Sequence, residues 1–373
     1  MSEASNIVIW GASGYTGKLI SESLHKLGIP FTAAGRTEEK LRSALEVAAG
    51  RAGAETIDAQ VATAIHQEES LTELFSGAKV VVNVTGPFSQ LGETVVRSAL
   101  AAGCHYLDTT GEQDFMLAMK NKYGQLFADR GLLLAPACSY MWTLGALAAE
   151  VALENDTIDS IELSYISAQG APSVASSQSF MRMLAAPHYY LENNELQPWE
   201  LGRTFDVTIP GYAKVFKASS WGGAAEPCWY QDDNRVRNCK VYQCAEDNNL
   251  MELIIDGVKQ VIEGAGGDAE AREALAIESA GAIVQEEPDK ENPLLHRGVV
   301  HCNANGSVAR STCTISFHSP YVITGELIAA ACRHLLNEEP KVAGFASAAV
   351  AFGHREMINF LADQDYLVVN TAG

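Results

Sequence analysis

The stretch that most limits what this chain can fold into is Ile7 to Lys18, IVIWGASGYTGK. Ile7, Val8, Ile9 and Trp10 are apolar without alternation, the pattern of a strand buried on both faces, and they run straight into Gly11, Gly14 and Gly17 at the spacing GxxGxxG. The first glycine lets the chain turn tightly after the strand, the second removes a side chain where a pyrophosphate must approach the backbone, and the third lets the next helix pack closely. That helix is expected from Leu19, Ile20, Ser23, Leu24 and Leu27, which share one face, with Gly28 and Pro30 as its stop. A second apolar strand, Phe31 to Ala34, completes a βαβ unit of about 30 residues. With 31 glycines in the chain the spacing alone would say little. The strand before it and the helix after it make Gly11, Ala12, Ser13, Gly14, Tyr15, Thr16 and Gly17 a dinucleotide cradle, with helix N-terminal amides facing the phosphates.

Two near misses narrow the chemistry. A P-loop needs GxxxxGK followed by Ser or Thr, whereas Thr16 stands five after Gly11 and Leu19 follows Lys18. No Tyr is followed four residues later by Lys, so the dyad of short-chain dehydrogenases is absent. The residue that chooses the cofactor sits about 20 positions past the glycine loop, at the end of the second strand. There AAGRT offers Gly35 instead of an acid that would accept from a ribose 2′-hydroxyl, and then Arg36, which suits a 2′-phosphate. Thr37 can begin the next helix and donate to the phosphate, and Lys40 lies one turn along. The cofactor predicted is NADP(H).

The strand-helix rhythm continues. A short third strand is expected to end at Ile57 and Asp58, with Asp58 near the adenine edge. The fourth, Lys79 to Val84, opens at its carboxyl end into Thr85, Gly86, Pro87 and Phe88; ligands in such sheets bind beyond the carboxyl ends of strands, so this turn is expected to border the nicotinamide ribose. A helix from Leu91 to Ala102, a strand from His105 to Asp108, a helix to Asp129 and a sixth strand from Leu132 to Ala135 lead to PACSYMW. Cys138 and Ser139 are candidate cofactor contacts there. Tyr140 is the candidate proton donor, and Glu112, at the mouth of the fifth strand, is its rival.

GASGYTG, AGR, TGPF, HYLDTTGE and, near the other end, GFASAAVAFG together resemble the saccharopine dehydrogenase-like oxidoreductases, especially the branch of trans-acting enoyl reductases. The resemblance covers residues 1 to 145 and again about 320 to 361. It implies NADP(H) at the loop and turns just named, and hydride transfer as the reaction.

From Thr157 the character changes. Ile158 to Ser167 and Val236 to Cys244 alternate, and VVHCNANGSVARSTCTISFH carries Asn305-Gly306, a two-residue hairpin signal, so a mostly antiparallel sheet is expected. Gly170 to Ser179 and Gly211 to Pro227 read as loops over a cleft. The acidic stretch Gly264 to Glu291 reads as a surface excursion with one helix, Asp268 to Gly281, and Ile323 to Leu336 and Gly344 to Leu361 read as helical. The fold class predicted is α/β: a Rossmann-type doubly wound parallel sheet over residues 1–150, to which helices of 325–373 return, plus an α+β domain over 151–324 that binds substrate and dimerises.

Composition excludes some partners. A net charge of −20 and a pI near 4.8 speak against nucleic acid and acidic membranes. The N-terminus has no basic n-region, and no stretch reaches the roughly 18 apolar residues of a membrane span, so the reading is a cytoplasmic homodimer. The eight cysteines never form CxxC and read as reduced core residues; His296 and His301 are too loosely spaced for a metal site.

Three functions follow: an NADPH-dependent reductase of a polarised double bond, a C–N dehydrogenase acting on an amino-acid adduct, and a dinucleotide-binding regulator. An adduct with several carboxylates needs convergent arginines, and the middle region offers Arg182, Arg203, Arg235 and Arg237, the last two beside Asp232 and Asp233, which is thin for such a ligand. Met181, Met183, Leu184, Tyr189, Tyr190, Trp199, Tyr212, Phe216, Trp221, Trp229 and Tyr230 suggest instead a pocket for an apolar, unsaturated small molecule.

Overall fold

A computed structural model describes residues 6–169, 172–284 and 286–372. The chain folds as two compact units. The first takes the chain up to Thr110, then Phe115–Thr143 and Tyr321–Leu361; the second takes Gly111–Asp114, Leu144–Pro320 and the end of the chain from Ala362.

The first unit is built on seven parallel strands. β1 (Ile7–Trp10), β2 (Phe31–Gly35), β3 (Ala59–Thr63), β4 (Val80–Asn83), β5 (His105–Asp108) and β6 (Leu133–Ala135) alternate with α1 (Tyr15–Lys26), α2 (Glu38–Ala52), α3 (Glu68–Phe75), α4 (Phe88–Ala102) and α5 (Gln113–Ala128). With β15 (Gly344–Phe345) the sheet order is β15-β6-β5-β4-β1-β2-β3. The order reverses between β1 and β4, whose register pairs Ile7 with Val80 and Trp10 with Asn83, so the switch-point crevice lies at their carboxyl ends. β1, β2, β4 and β5 are buried along their whole length, as covered parallel strands must be. α11 (Pro320–Asn337), α12 (Ala348–Phe352) and α13 (His354–Ala362) lie mainly in this unit.

The second unit is organised on β7 (Ile158–Ala168). α6 (Tyr140–Ala152) leads towards it and is broken at Met141 and Trp142, where the backbone leaves helical geometry. β7 pairs in parallel with β12 (Asn238–Ala245) and antiparallel with β13 (Arg297–Gly306), which pairs with β14 (Arg310–His318). β11 (Phe216–Ser219) and β10 (Phe205–Val207) extend the β12 side, and β16 (Leu367–Ala372) extends the β14 side. β8 (Tyr189–Glu192) and β9 (Glu195–Pro198) form a hairpin against β12. α7 (Val174–Ala185), α9 (Asn248–Gly264) and α10 (Ala269–Ile283) pack through Met181, Leu184, Val258, Val261, Ala276 and Ala280, and α8 (Glu226–Tyr230) completes the unit.

Several sequence expectations need correction. The third strand begins after Asp58 rather than ending there. The β13–β14 turn falls on Ser307 and Val308, since Asn305 still pairs with Arg310 and the Gly306 amide donates to the Ala309 carbonyl. Gly306 answers to packing instead: a Cβ there would overlap the Thr157 carbonyl. The Ser-rich segment expected as a loop is helix α7, capped by Ser173 Oγ accepting from the Ser176 amide; Gly170 and Ala171 lie outside the described residues. Gly211–Pro227 contains strand β11. The acidic excursion is not wholly surface, because Ala276 and Ala280 are buried against α7. Gly344 and Phe345 form a strand beside β6, not a helix start. The tail does not all return to the first unit, since β16 pairs with β14. Among the described residues no helix is long and apolar enough to cross a membrane.

Candidate functional site

The three glycines of the cradle do three different jobs. Gly11 adopts φ +94°, donates its amide to the Ala34 carbonyl at 2.9 Å, and would place a Cβ 2.5 Å from Thr85 Oγ1. Gly17 would place a Cβ 2.6–2.7 Å from the Ala12 backbone, so the helix could not seat on the strand with any side chain. A Cβ on Gly14 would meet only the Gly11 carbonyl oxygen, at 3.4 Å, an ordinary contact. The protein itself leaves the side-chain space at Gly14 open, which is what an approaching pyrophosphate requires. α1 also starts without a side-chain cap and without an acid in its first turn, so its N-terminus keeps its affinity for an anion.

The opposite wall is set by Thr85, whose amide donates to Asn83 Oδ1 at 3.0 Å and whose hydroxyl donates to the Trp10 carbonyl at 3.3 Å. Gly86, Pro87 and Phe88 follow, with Phe88 at the first position of α4 and packed on Phe115. At the end of β2, Gly35 is followed by Arg36, which is exposed and has no ion pair among the described residues. Lys40 is likewise exposed and unpaired among them, whereas Arg42 is held by Glu38 at 2.6 Å. Thr37 is the N-cap of α2 but makes no side-chain cap bond, leaving its hydroxyl for other use. Asp58 lies before β3, at the amino edge of a parallel sheet whose ligand edge is the carboxyl one, so the argument for an adenine contact fails.

The turn after β6 is fixed to β5. Asp108 Oδ1 accepts from the Thr110 and Ala137 amides at 2.9 and 2.8 Å, and its carbonyl accepts from the Cys138 amide at 2.7 Å. Ala137 and Trp142 hold φ of 59° and 67°, costly for residues with a Cβ and a frequent mark of functional constraint. Cys138 is fully buried and burial pushes its thiol well up, so only its backbone could face a cofactor. Ser139 Oγ donates to the Met141 carbonyl.

Tyr140 is half-buried, its amide donating to Thr324 Oγ1 at 3.1 Å. Its ring lies 6.4 Å from that of Tyr321, which meets Tyr15 of the glycine loop edge-on at 5.1 Å. Tyr321 therefore sits between the cradle and Tyr140. Nothing in its local sequence announces this, because α11 follows Tyr140 by some 180 residues.

Glu112 belongs to the second unit and is engaged there. It accepts from Arg182 Nη1 at 3.2 Å and Ser179 Oγ at 3.0 Å, while Arg182 also bonds Asp114 at 2.5 Å and forms an ion pair with Glu273 at 3.2 Å. Burial works against the guanidinium's charge, but Asp114, Glu112 and Glu273 more than offset it and push its pKa up. The other arginines are occupied too: Arg235 by Glu150 and Asp233 at 3.0 and 2.7 Å, Arg237 by Asn193 at 3.1 Å, and Arg203 by Glu200 at 3.5 Å. Of the aromatic and Met residues read as a pocket, Met181, Leu184 and Phe216 are core, and Trp199 packs with Tyr190, Phe205 and Tyr242. All eight cysteines are buried and none forms a disulfide.

Residues 7–126 match the saccharopine dehydrogenase NADP binding domain, and residues 143–370 match a family of unknown function (DUF5938). Over its larger part the chain belongs to the DUF5938 family, and its first part is similar to the saccharopine dehydrogenase NADP binding domain. It is 33% identical over 140 residues to the human saccharopine dehydrogenase-like oxidoreductase, covering 35% of this chain and 33% of that protein. A putative trans-acting enoyl reductase of Mycobacterium tuberculosis is 33% identical over 140 residues, 36% of this chain and 32% of the relative. The chain thus spans about a third of the length of these relatives. The structure of an apo saccharopine dehydrogenase (L-Glu forming) from Saccharomyces cerevisiae superposes with a TM-score of 0.62 over 99% of this chain and 100% of that one; at 13% identity this shows the fold alone.

Proposed function

We propose that the chain is an NADPH-dependent reductase of a polarised carbon–carbon double bond in a largely apolar small molecule. The observation that carries this reading is the state of four arginines of the second unit: Arg182, Arg203, Arg235 and Arg237 each already have a partner within the protein. A substrate with several carboxylates would have to displace those partners, at the cost of leaving buried Glu112 and Glu150 without a counter-charge. The resemblance to trans-acting enoyl reductases points the same way. The competing C–N dehydrogenase reading draws on the full-length likeness of fold to saccharopine dehydrogenase.

In this reading Gly11, Ala12, Ser13, Gly14, Tyr15, Thr16 and Gly17 hold the pyrophosphate, and Arg36, Thr37 and Lys40 the 2′-phosphate. Thr85, Gly86, Pro87, Phe88 and the Cys138–Ser139 backbone border the nicotinamide ribose. Bound NADPH supplies the hydride. Hydride addition to a conjugated alkene leaves an enolate that needs one proton, and Tyr140 donates it from its phenol. Glu112 is left to its structural partners. The test is a screen of unsaturated carbonyl compounds and imines by NADPH absorbance, followed by Tyr140→Phe on the best substrate. Turnover in that variant should fall about 10²-fold or more with NADPH affinity kept. A near-normal rate would remove Tyr140 from the mechanism, and activity confined to carboxylate-rich imines would overturn the alkene reading.

A further inference from the structure

β16 closes one side of the second unit's sheet, and among the described residues it pairs with β14 alone. The register sets Ser316 opposite Val368, Thr314 opposite Asn370 and Thr312 opposite Ala372. Just before the strand, His318 donates its amide to the carbonyl of Tyr366, directly opposite, at 3.2 Å. Bonded pairs recur at every second residue of an antiparallel ladder, so Val368, Asn370 and Ala372 turn their amides and carbonyls towards β14, while Leu367, Val369 and Thr371 turn theirs outward. No backbone bond among the described residues takes up those outward groups.

Edge strands invite pairing with another chain, and proteins ordinarily guard them with charge, proline, short length or a bulge. Other outer strands of this unit are guarded in that way. β10 has three residues, with Asp206 at its centre held by Lys217 at 2.8 Å, and β9 begins at Glu195 and ends at Pro198. β16 has six residues, LVVNTA, with no charge, no proline and no break in register, and its Val368 is 62% exposed. Asp363 and Asp365 stand before the strand. In a chain of net charge −20, an open strand of uncharged residues is where two copies meet with little repulsion.

We propose that β16 is the surface through which two copies of this chain associate, by antiparallel pairing about a two-fold axis at Val369. A two-fold axis across a strand returns the same strand antiparallel, so one patch serves both copies. With the axis there, Val369 faces the partner's Val369, Leu367 faces the partner's Thr371, and Thr371 faces the partner's Leu367. These are the residues whose backbone groups turn outward, so each outward amide of the strand finds a carbonyl. An axis at Val368 or Asn370 leaves one outward residue of each copy without a strand residue to face. Val369 stands beside buried Ile315 in the ladder, and its meeting with the partner's Val369 extends that apolar row across the joint. The inference concerns assembly and is independent of the reaction proposed above.

Sedimentation equilibrium of the whole chain at concentrations up to about 100 µM tests this, since a joint of this size is of the weaker kind. The mass should rise with concentration from 40.0 kDa towards twice that value. Val369→Pro removes the central outward amide without touching a bond to β14, so the variant should keep its circular dichroism and melting transition and associate at least about tenfold more weakly. Should it not fold, Val369→Cys serves instead. The axis then sets the two new thiols on directly opposite residues, about 5.5 Å apart at Cα and within reach of a disulfide. The native cysteines are all buried, so oxidation with diamide should give a cross-linked dimer on a non-reducing gel with the variant and not with wild type. A chain that stays at 40.0 kDa across the range overturns the inference. So does a dimer that Val369→Pro leaves intact or that Val369→Cys fails to cross-link.

Discussion

The first unit leaves Arg36 and Lys40 without partners among the described residues at the carboxyl edge of its sheet, whereas the second unit ties Arg182 and Arg235 to its own carboxylates. Arg36 and Lys40 have no counter-ion among the described residues, yet Arg182 has three. In a chain of net charge −20, with carboxylates abundant, a cation kept clear of them marks a place for an external anion. A cation buried among carboxylates marks instead a place where the protein holds itself together. In the proposed function this contrast puts the anionic cofactor on the first unit and a weakly charged substrate on the second.

The strongest challenge to that contrast is at the cradle. Gly14→Val should abolish cofactor binding, because its side chain fills space that the loop leaves open for the pyrophosphate, while the melting transition stays cooperative. Retained affinity in the folded variant would move the dinucleotide elsewhere. In the second unit, Arg182→Met should lower the unfolding free energy by about 3–5 kcal/mol, read from denaturant midpoints, since it leaves Glu112 buried without its counter-charge. A variant as stable as wild type would mean that Arg182 was free for substrate. The smallest effect separates the cofactors. Arg36→Asp should weaken NADPH by about 2 kcal/mol through loss of a charge-assisted bond and added repulsion. In fluorescence titrations NADH affinity should barely change, and a wild type that prefers NADH would contradict the assignment.

The first unit was the more legible because its constraints are local. β1 and β5 lie where the apolar runs put them, Gly11 and Gly17 answer to contacts made within or next to one βαβ unit, and the loop leaves the space at Gly14 open. The third strand was misplaced because Ala59–Thr63 is a half-exposed edge strand with no apolar run to announce it. Glu112 read as a site residue because it follows β5; its partners Ser179 and Arg182 stand 67 and 70 residues away. Asn305-Gly306 misled for a similar reason, since the glycine serves a close approach to Thr157, just before β7, and not the turn beside it. Pairings at such range leave no periodicity or spacing to read.

The most direct test of the central claim follows the hydride. The chain should be turned over with NADPH carrying deuterium at the transferable C4 position, and the product of an active unsaturated carbonyl substrate analysed by NMR. The account predicts deuterium on the carbon β to the carbonyl, with solvent hydrogen at the α carbon. Deuterium found only on a carbon bonded to nitrogen, in products of carboxylate-rich imines, would contradict it.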